Sequence, residues 1–293
     1  MLNKLKNRLL GQPRPASEGK PATAAAPARG DALPGADLPG AEQLSPFEVG
    51  LWDDMQSGWY RNECDEIYRG FHLAPADVVL DVGCGDGGRS AFCAARGCHV
   101  IYADIDPAKV AHTAERLRGS AARKLEGVVS DSAPLPLDAG TASRVIATEI
   151  IEHVDSPAQF LAELVRVGKP GALFLLTVPD AVAERAQTGL AAPQYFEKPN
   201  HIHIFDREQF RTLVTDAGLE VVSHSFHGFF WSLWWMFFWS SGQPQVGPPW
   251  TDLLDYWTRT WSALNETPQG LKVKESLDEL MPKFQVIVAR KPA

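Results

Sequence analysis

The 293-residue chain is poor in cysteine, has no long apolar run and shows no excess of positive charge. Its four cysteines, Cys64, Cys84, Cys93 and Cys98, form neither a CxxC pair nor a regular framework. That spacing excludes a disulfide scaffold and favours free thiols in a reducing, cytoplasmic setting. No stretch reaches the roughly 18–20 apolar residues that a membrane span requires. Behind the basic residues of Met1 to Leu10 there is no apolar segment of signal-peptide length, so secretion is not expected. Positions 1–30 hold six basic residues and one acid, which leaves 22 basic against 35 acidic side chains in the remainder. A body that acidic repels phosphate backbones, and no nucleic-acid partner is expected.

Residues 11–45 also have almost no large apolar side chains and consist mainly of Ala, Pro and Gly. Such a segment cannot offset its ordering entropy, so residues 1–44 are assigned to a disordered tether with a short basic start. Leu2, Leu5 and Leu9 fall on one helical face of that start. A frayed polar end and a short helix lying on a membrane surface are both open readings.

Order begins at Ser45-Pro46-Phe47-Glu48, where an N-cap serine, a first-turn proline and a capping-box glutamate coincide. Helical spacing of Trp52, Met55, Trp59 and Tyr60 runs on toward Tyr68. After Pro75, buried-strand runs at Val78–Val82, His99–Ala103, Gly127–Ser130, Arg144–Thr148 and Ala172–Val178 alternate with helical segments such as Pro107–Arg118 and Pro157–Val167. Two further strands, Glu220–His224 and Phe284–Ala289, follow. This alternation predicts an α/β, doubly wound, Rossmann-like domain over 45–293, with a mostly parallel sheet covered on both faces.

The first strand ends in Leu80-Asp81-Val82-Gly83-Cys84-Gly85-Asp86-Gly87-Gly88 and opens a helix. Glycines there permit a tight turn and let a ligand approach main-chain N–H groups at a helix start. The run fits two templates. Gly83, Gly85 and Gly88 match a dinucleotide fingerprint, with Asp104 about 20 residues on for a ribose. Asp81, Gly83, Gly85 and Gly87 resemble motif I of the class I S-adenosylmethionine-dependent methyltransferases. A carboxylate at Asp81 would repel a pyrophosphate but suits the ammonium of a methionine moiety, which decides for the second template.

The resemblance extends over roughly residues 75–225 and implies a seven-stranded sheet with S-adenosyl-L-methionine as cofactor. It implies that Asp104, followed by Ile105, holds the ribose hydroxyls. Asp131 would accept from the adenine amine and the Ser132 N–H would meet a ring nitrogen. Main chain at Thr148 and Glu149 would contact the methionine part. The stretch Arg166-Val167-Gly168-Lys169-Pro170-Gly171-Ala172 resembles the turn before the fifth strand, departing from the common pattern at Gly168 and Ala172.

A phenol or alcohol acceptor must lose a proton during methyl transfer, and histidines are the candidate bases. His153 follows Glu149 and Glu152 at spacings that place all three on one helical face. The cluster resembles the divalent-ion site of ubiquinone-pathway O-methyltransferases, although many relatives carry a similar turn without metal. His201 and His203 precede a helix opened by the capping box of Asp206 and Gln209. They are candidates for base or substrate orientation, and two histidines without a third ligand nearby predict no metal site. Tyr195 and Glu197 are placed near the same pocket by position.

Thirteen of the 28 aromatic residues crowd between Phe226 and Trp261, which marks residues 229–283 as an insert between the sixth and seventh strands. Three readings are open: a cap over an apolar acceptor site, a patch that dips into a membrane interface, or the helical core of a subdomain. The sequence thus predicts an enzyme that transfers a methyl group to a small, partly apolar acceptor at oxygen, such as a quinone, lipid-linked or glycan-like metabolite. The alternatives are transfer to nitrogen and a non-catalytic, cofactor-binding protein in peripheral contact with a membrane.

Overall fold

The computed structural model describes residues 44–293. Apart from Leu44, the expected tether and its leucine face lie outside the described residues. Helix α1 (Pro46–Gln56) starts as expected: Ser45 Oγ accepts the Glu48 N–H at 3.2 Å, and the Glu48 carboxylate accepts the Ser45 N–H at 3.0 Å. It does not run on toward Tyr68. Gly58, at φ 108°, ends it in a conformation that costs glycine little. Residues beyond form a small antiparallel sheet of β1 (Trp59–Arg61), β2 (Glu66–Tyr68) and β3 (Phe71–His72). Trp59, Tyr68 and Phe71 meet the core beneath it, so tertiary burial overrides the apparent helical spacing.

The main sheet has the order β6-β5-β4-β7-β8-β10-β9, with β4 (Val78–Val82), β5 (His99–Asp104), β6 (Lys124–Val129), β7 (Ala142–Thr148), β8 (Gly168–Pro179), β9 (Glu220–His227) and β10 (Phe284–Arg290). Only β10 runs antiparallel to its neighbours. All seven expected strands are present, with ends within about four residues of the predicted ones. The largest shifts are at the start of β8, at Gly168 instead of Ala172, at the start of β6, at Lys124 instead of Gly127, and at the end of β9, at His227 instead of His224. β6 is an edge strand with alternating exposure and shows no continuous apolar run. Helices α2 (Gly88–Ala94), α3 (Pro107–Leu117), α4 (Pro157–Val167), α5 (Ala181–Gln187) and α6 (Arg207–Asp216) connect the strands of the main sheet. One face of the sheet buries Phe160, Leu164, Phe174 and Phe210, and the other buries Phe92, Val100, Leu175 and Val286. The strand order reverses direction between β4 and β7, and in such sheets the ligand crevice opens at the carboxyl ends beside that switch point.

Register places Pro179, His227 and Phe284 level at that carboxyl edge. The aromatic insert therefore leaves the sheet on the crevice side. It folds as α7 (Phe229–Ser240), α8 (Asp252–Glu266) and α9 (Gly270–Leu280). Phe229, Phe230, Trp234, Phe238, Leu254 and Trp261 pack with Val49 of α1 into a third core. A Cβ on Gly50 would lie 2.0 Å from Trp231, so α1 and α7 approach as only glycine permits. The buried face of α7 thus packs against α1 and α8. No helix among the described residues is long and apolar enough to cross a membrane.

Candidate active site at the sheet edge

The turn after β4 adopts left-handed backbone at Gly83, Gly85 and Gly87, with φ of 70°, 50° and 73°. At Gly87 a Cβ would meet Thr113 Oγ1 at 2.8 Å, whereas beside Gly85 there is open space in which a ligand can approach the backbone. Asp104, ending β5, accepts the Gly85 N–H and the Asp106 N–H, each at 3.0 Å. An ionised carboxylate has about four lone-pair sites, so two stay open toward a cis-diol. Ile105 beside it is exposed. Asp81 is buried and accepts the Ser90 hydroxyl at 2.6 Å. Burial lifts its carboxyl to about 6, against the opposing pull of that hydrogen bond.

The exposed Asp131 accepts the Ala133 N–H at 3.0 Å, and the Ser132 N–H donates to Ser130 Oγ at 2.9 Å. The N–H assigned by resemblance to an adenine nitrogen is thus engaged within its own turn, with Ser132 at φ 64°. Thr148 is buried at the end of β7.

Sequence reasoning missed Arg89, Asp54 and Gln56. The buried Arg89 Nε, Asp54 Oδ1 and Gln56 Oε1 have no hydrogen-bond partner. Arg89 lies over the Trp59 ring at 4.9 Å, and its charge acts on Asp54, Tyr60, Asp81 and Glu149. Burial, reinforced by the neighbouring Asp53, pushes the Asp54 carboxyl up to about 8. Orphaned buried groups are costly, and those on α1 and Arg89 leave hydrogen-bonding capacity that a ligand's polar groups could satisfy. The sequence signal was the Asp53-Asp54 pair in the otherwise apolar run from Val49 to Met55.

On the other side of β7, residues 149–155 form turns in place of the expected helix. Glu149 adopts φ 53°, donates its N–H to Thr177 Oγ1 at 3.0 Å and accepts that hydroxyl at 2.8 Å. The three-residue helical face of Glu149, Glu152 and His153 is therefore not formed. Glu152 and His153 instead meet His201, with one donor atom from each lying within 4.8 Å of the others. Both Glu152 oxygens are buried without a hydrogen-bond partner. Burial and then Glu149 push that carboxyl well above the usual range, while burial and His201 hold His153 below the ordinary imidazole value. One carboxylate and two imidazoles form a donor set that could hold a divalent ion. His203 takes no part: its Nε2 bonds to the Val154 carbonyl at 3.0 Å and braces the turn.

His201 is held by residues distant in sequence. Its Nδ1 bonds to Glu184 Oε2 at 2.8 Å, on helix α5 (Ala181–Gln187). Glu184 also takes the Lys283 ammonium at 2.6 Å and the Tyr195 hydroxyl at 3.2 Å. Burial opposes ionisation, but Lys283 and His201 outweigh it and bring the Glu184 carboxyl down to about 2. The group therefore contributes stability above its ordinary value of 4.5, and that contribution fades as pH falls from 4.5 toward 2. Glu184→Gln is expected to cost about 3–5 kcal/mol at neutral pH, by leaving Lys283 buried without its partner. Urea unfolding of both proteins over that acid window should show the gap narrowing.

The half-buried side of α7 presents Trp231, Trp235 and Trp239 at four-residue intervals. The first abuts Phe47 and Gly50 of α1, with its ring 5.9 Å from that of Phe47. The third donates to Gln187 at 2.9 Å and lies 5.4 Å from the Tyr195 ring, which in turn is 4.3 Å from His201. A tryptophan face thus runs from the wall that carries Asp54 to the wall that carries His201.

Residues 55–224 match the family model described as a methyltransferase domain. A protein of Mycolicibacterium smegmatis named "Probable S-adenosylmethionine-dependent methyltransferase" is 30% identical over 163 residues, covering 56% of this chain and 60% of that protein. The ubiquinone biosynthesis O-methyltransferase of Hahella chejuensis is 36% identical over 158 residues, covering 47% and 63%. The chain thus spans about 60% of the length of these curated relatives. The crystal structure of the cyclase SpnF superposes with a TM-score of 0.53 at 17% identity, covering 83% of this chain and 81% of that one, which is a likeness of fold alone. With the family match, the strand order and the glycine turn in agreement, the chain belongs to the class I S-adenosylmethionine-dependent methyltransferases.

Proposed function

We propose that the protein transfers a methyl group from S-adenosyl-L-methionine to an oxygen of a small, partly apolar acceptor seated between His201 and the tryptophan face of α7. The pocket fits the cofactor in its open side at Gly85, its spare lone pairs on Asp104 and its orphaned groups on Asp54, Gln56 and Arg89. When bound, the cofactor supplies a methyl carbon already activated by a sulfonium. Asp104 and Asp131 hold the adenosine, and main chain at Thr148 and Glu149 receives the methionine part. Asp81, Asp54 and Arg89 meet its charged ends.

The observation that carries the oxygen reading is the Glu184–His201 pair. A carboxylate only accepts, so Nδ1 carries a proton toward Glu184, and the imidazole in its neutral form offers its Nε2 lone pair to an acceptor hydroxyl. Lys283 keeps Glu184 ionised for that task. The tryptophan face excludes water and gives the acceptor an apolar bed. The O-methyltransferase among the relatives supports this reading. Transfer to nitrogen is favoured by one feature, the buried Glu152 carboxyl, whose oxygens lack a hydrogen-bond partner and suit the N–H of an amine acceptor.

Incubation with methyl-labelled cofactor and a small-molecule extract, followed by mass spectrometry, tests the proposal. Label on a hydroxyl oxygen of an apolar metabolite is expected. Label on an amine would favour nitrogen, and a bound cofactor without any transfer would indicate a non-catalytic binder.

A further inference from the structure

A buried cluster away from both walls joins them. Lys274 of α9 is 1% exposed, and its ammonium lies 2.7 Å from Ser57 Oγ, 2.5 Å from Asp278 Oδ2 and 3.5 Å from Asp53 Oδ2. Burial opposes this charge, but Asp53 and Asp278 outweigh it and raise the lysine above its ordinary value. The opposite oxygen of Asp53 accepts the Trp261 indole N–H of α8 at 2.8 Å. The opposite oxygen of Asp278 accepts the Gly228 and Phe229 N–H groups, both at 2.9 Å. Those two N–H groups open α7.

One ammonium therefore fastens two structures with different tasks. On one side, Asp53 and Ser57 bracket Asp54 and Gln56, whose buried Oδ1 and Oε1 lack hydrogen-bond partners, and the charge of Arg89, in the helix opened by the glycine turn, acts on Asp54. On the other, Asp278 fixes the start of the helix that carries Trp231, Trp235 and Trp239. Removing one member of a buried ionic group strands the rest, so the pieces hold their places together or not at all.

We propose that Lys274 is a positioning residue that couples the cofactor wall to the aromatic roof, so that filling the cofactor pocket tightens α7 over the acceptor site. Cofactor groups that engage Asp54, Gln56 and Arg89 fix α1. Asp53 and Ser57 pass that constraint to Lys274, and Asp278 passes it to the first turn of α7. The inference rests on the cofactor assignment of the proposed function. Coupling of this kind is a difference in local opening between two states, which hydrogen exchange reads directly.

The test is hydrogen exchange of the full chain with and without S-adenosylhomocysteine. In the native protein the ligand is expected to slow exchange by about tenfold or more both in residues 81–90 and in α7. In Lys274→Met, protection of 81–90 should remain while the ligand-dependent protection of α7 is lost. A merely structural lysine would loosen α7 equally with and without ligand and leave the ligand-dependent increment unchanged. Unchanged increments in the variant, or native protection confined to 81–90, would overturn the coupling while leaving the cofactor assignment standing. Protection of neither stretch would overturn both. If Lys274→Met does not fold cooperatively, Ser57→Ala removes one of the ammonium's partners and keeps its carboxylates. It should reduce the α7 increment, and a full native increment there would count against the proposal.

Discussion

Replacing His201 with alanine is expected to lower kcat by about 10²–10⁴-fold, the usual contribution of a positioned general base. Affinity for S-adenosylhomocysteine should stay native. The separation of the two effects follows from geometry. His201 is bound to Glu184 and lies with its ring 4.3 Å from that of Tyr195, apart from the α1 residues that carry the orphaned cofactor-side groups. Removing its imidazole deletes the Nε2 acceptor and strands a carboxylate that Lys283 still neutralises. Glu184→Gln should lower kcat less, because an amide oxygen can still receive the Nδ1 proton and keep the tautomer. Steady-state kinetics on the acceptor found by label transfer, with calorimetry for the cofactor product, distinguishes these outcomes. A change in kcat smaller than about threefold in His201→Ala would move the proton-accepting role to Glu152 or His153.

Asp104→Ala should have the second large effect, on binding. Its carboxylate holds the Gly85 and Asp106 N–H groups and presents its remaining lone pairs to the crevice. Alanine leaves the two N–H groups without their partner and removes the acceptor for the ribose. Hydrogen bonds to a charged group contribute about 1.5–3 kcal/mol each, so losing two from the ligand weakens cofactor affinity by about 10²–10⁴-fold. Gly85 also loses the bond that fixes its φ of 50°, and part of the loss is a disordered turn. Titration calorimetry of the variant should give little or no heat, with cooperative thermal unfolding retained.

The sheet was legible because β4, β5, β7 and β8 are buried on both faces and read as continuous apolar runs between turn signals. The glycine turn and Asp104 were legible because their spacing is local. Other features were hidden for physical reasons. The strands at 59–72 are two or three residues long, and the rings that they bury recur at intervals that mimic a helix. Glu149 left its expected face because a left-handed residue breaks the periodicity on which the prediction rested. Lys283 meets Glu184 across 99 residues of sequence, and Trp261 meets Asp53 across 208, so no local pattern could announce either pair. The aromatic insert announced itself by composition. Its division into a buried core face and a tryptophan face emerged only from the packing of α1 against α7.

A crystal structure with S-adenosylhomocysteine would place every group of the cofactor product against these residues at once. The ribose hydroxyls are expected on Asp104, the amino-acid end beside Asp81, Asp54 and Arg89, and the sulfur facing a chamber bounded by His201 Nε2 and Trp235. A ligand seated elsewhere would contradict this assignment. So would a ligand whose sulfur is walled off from His201 by protein.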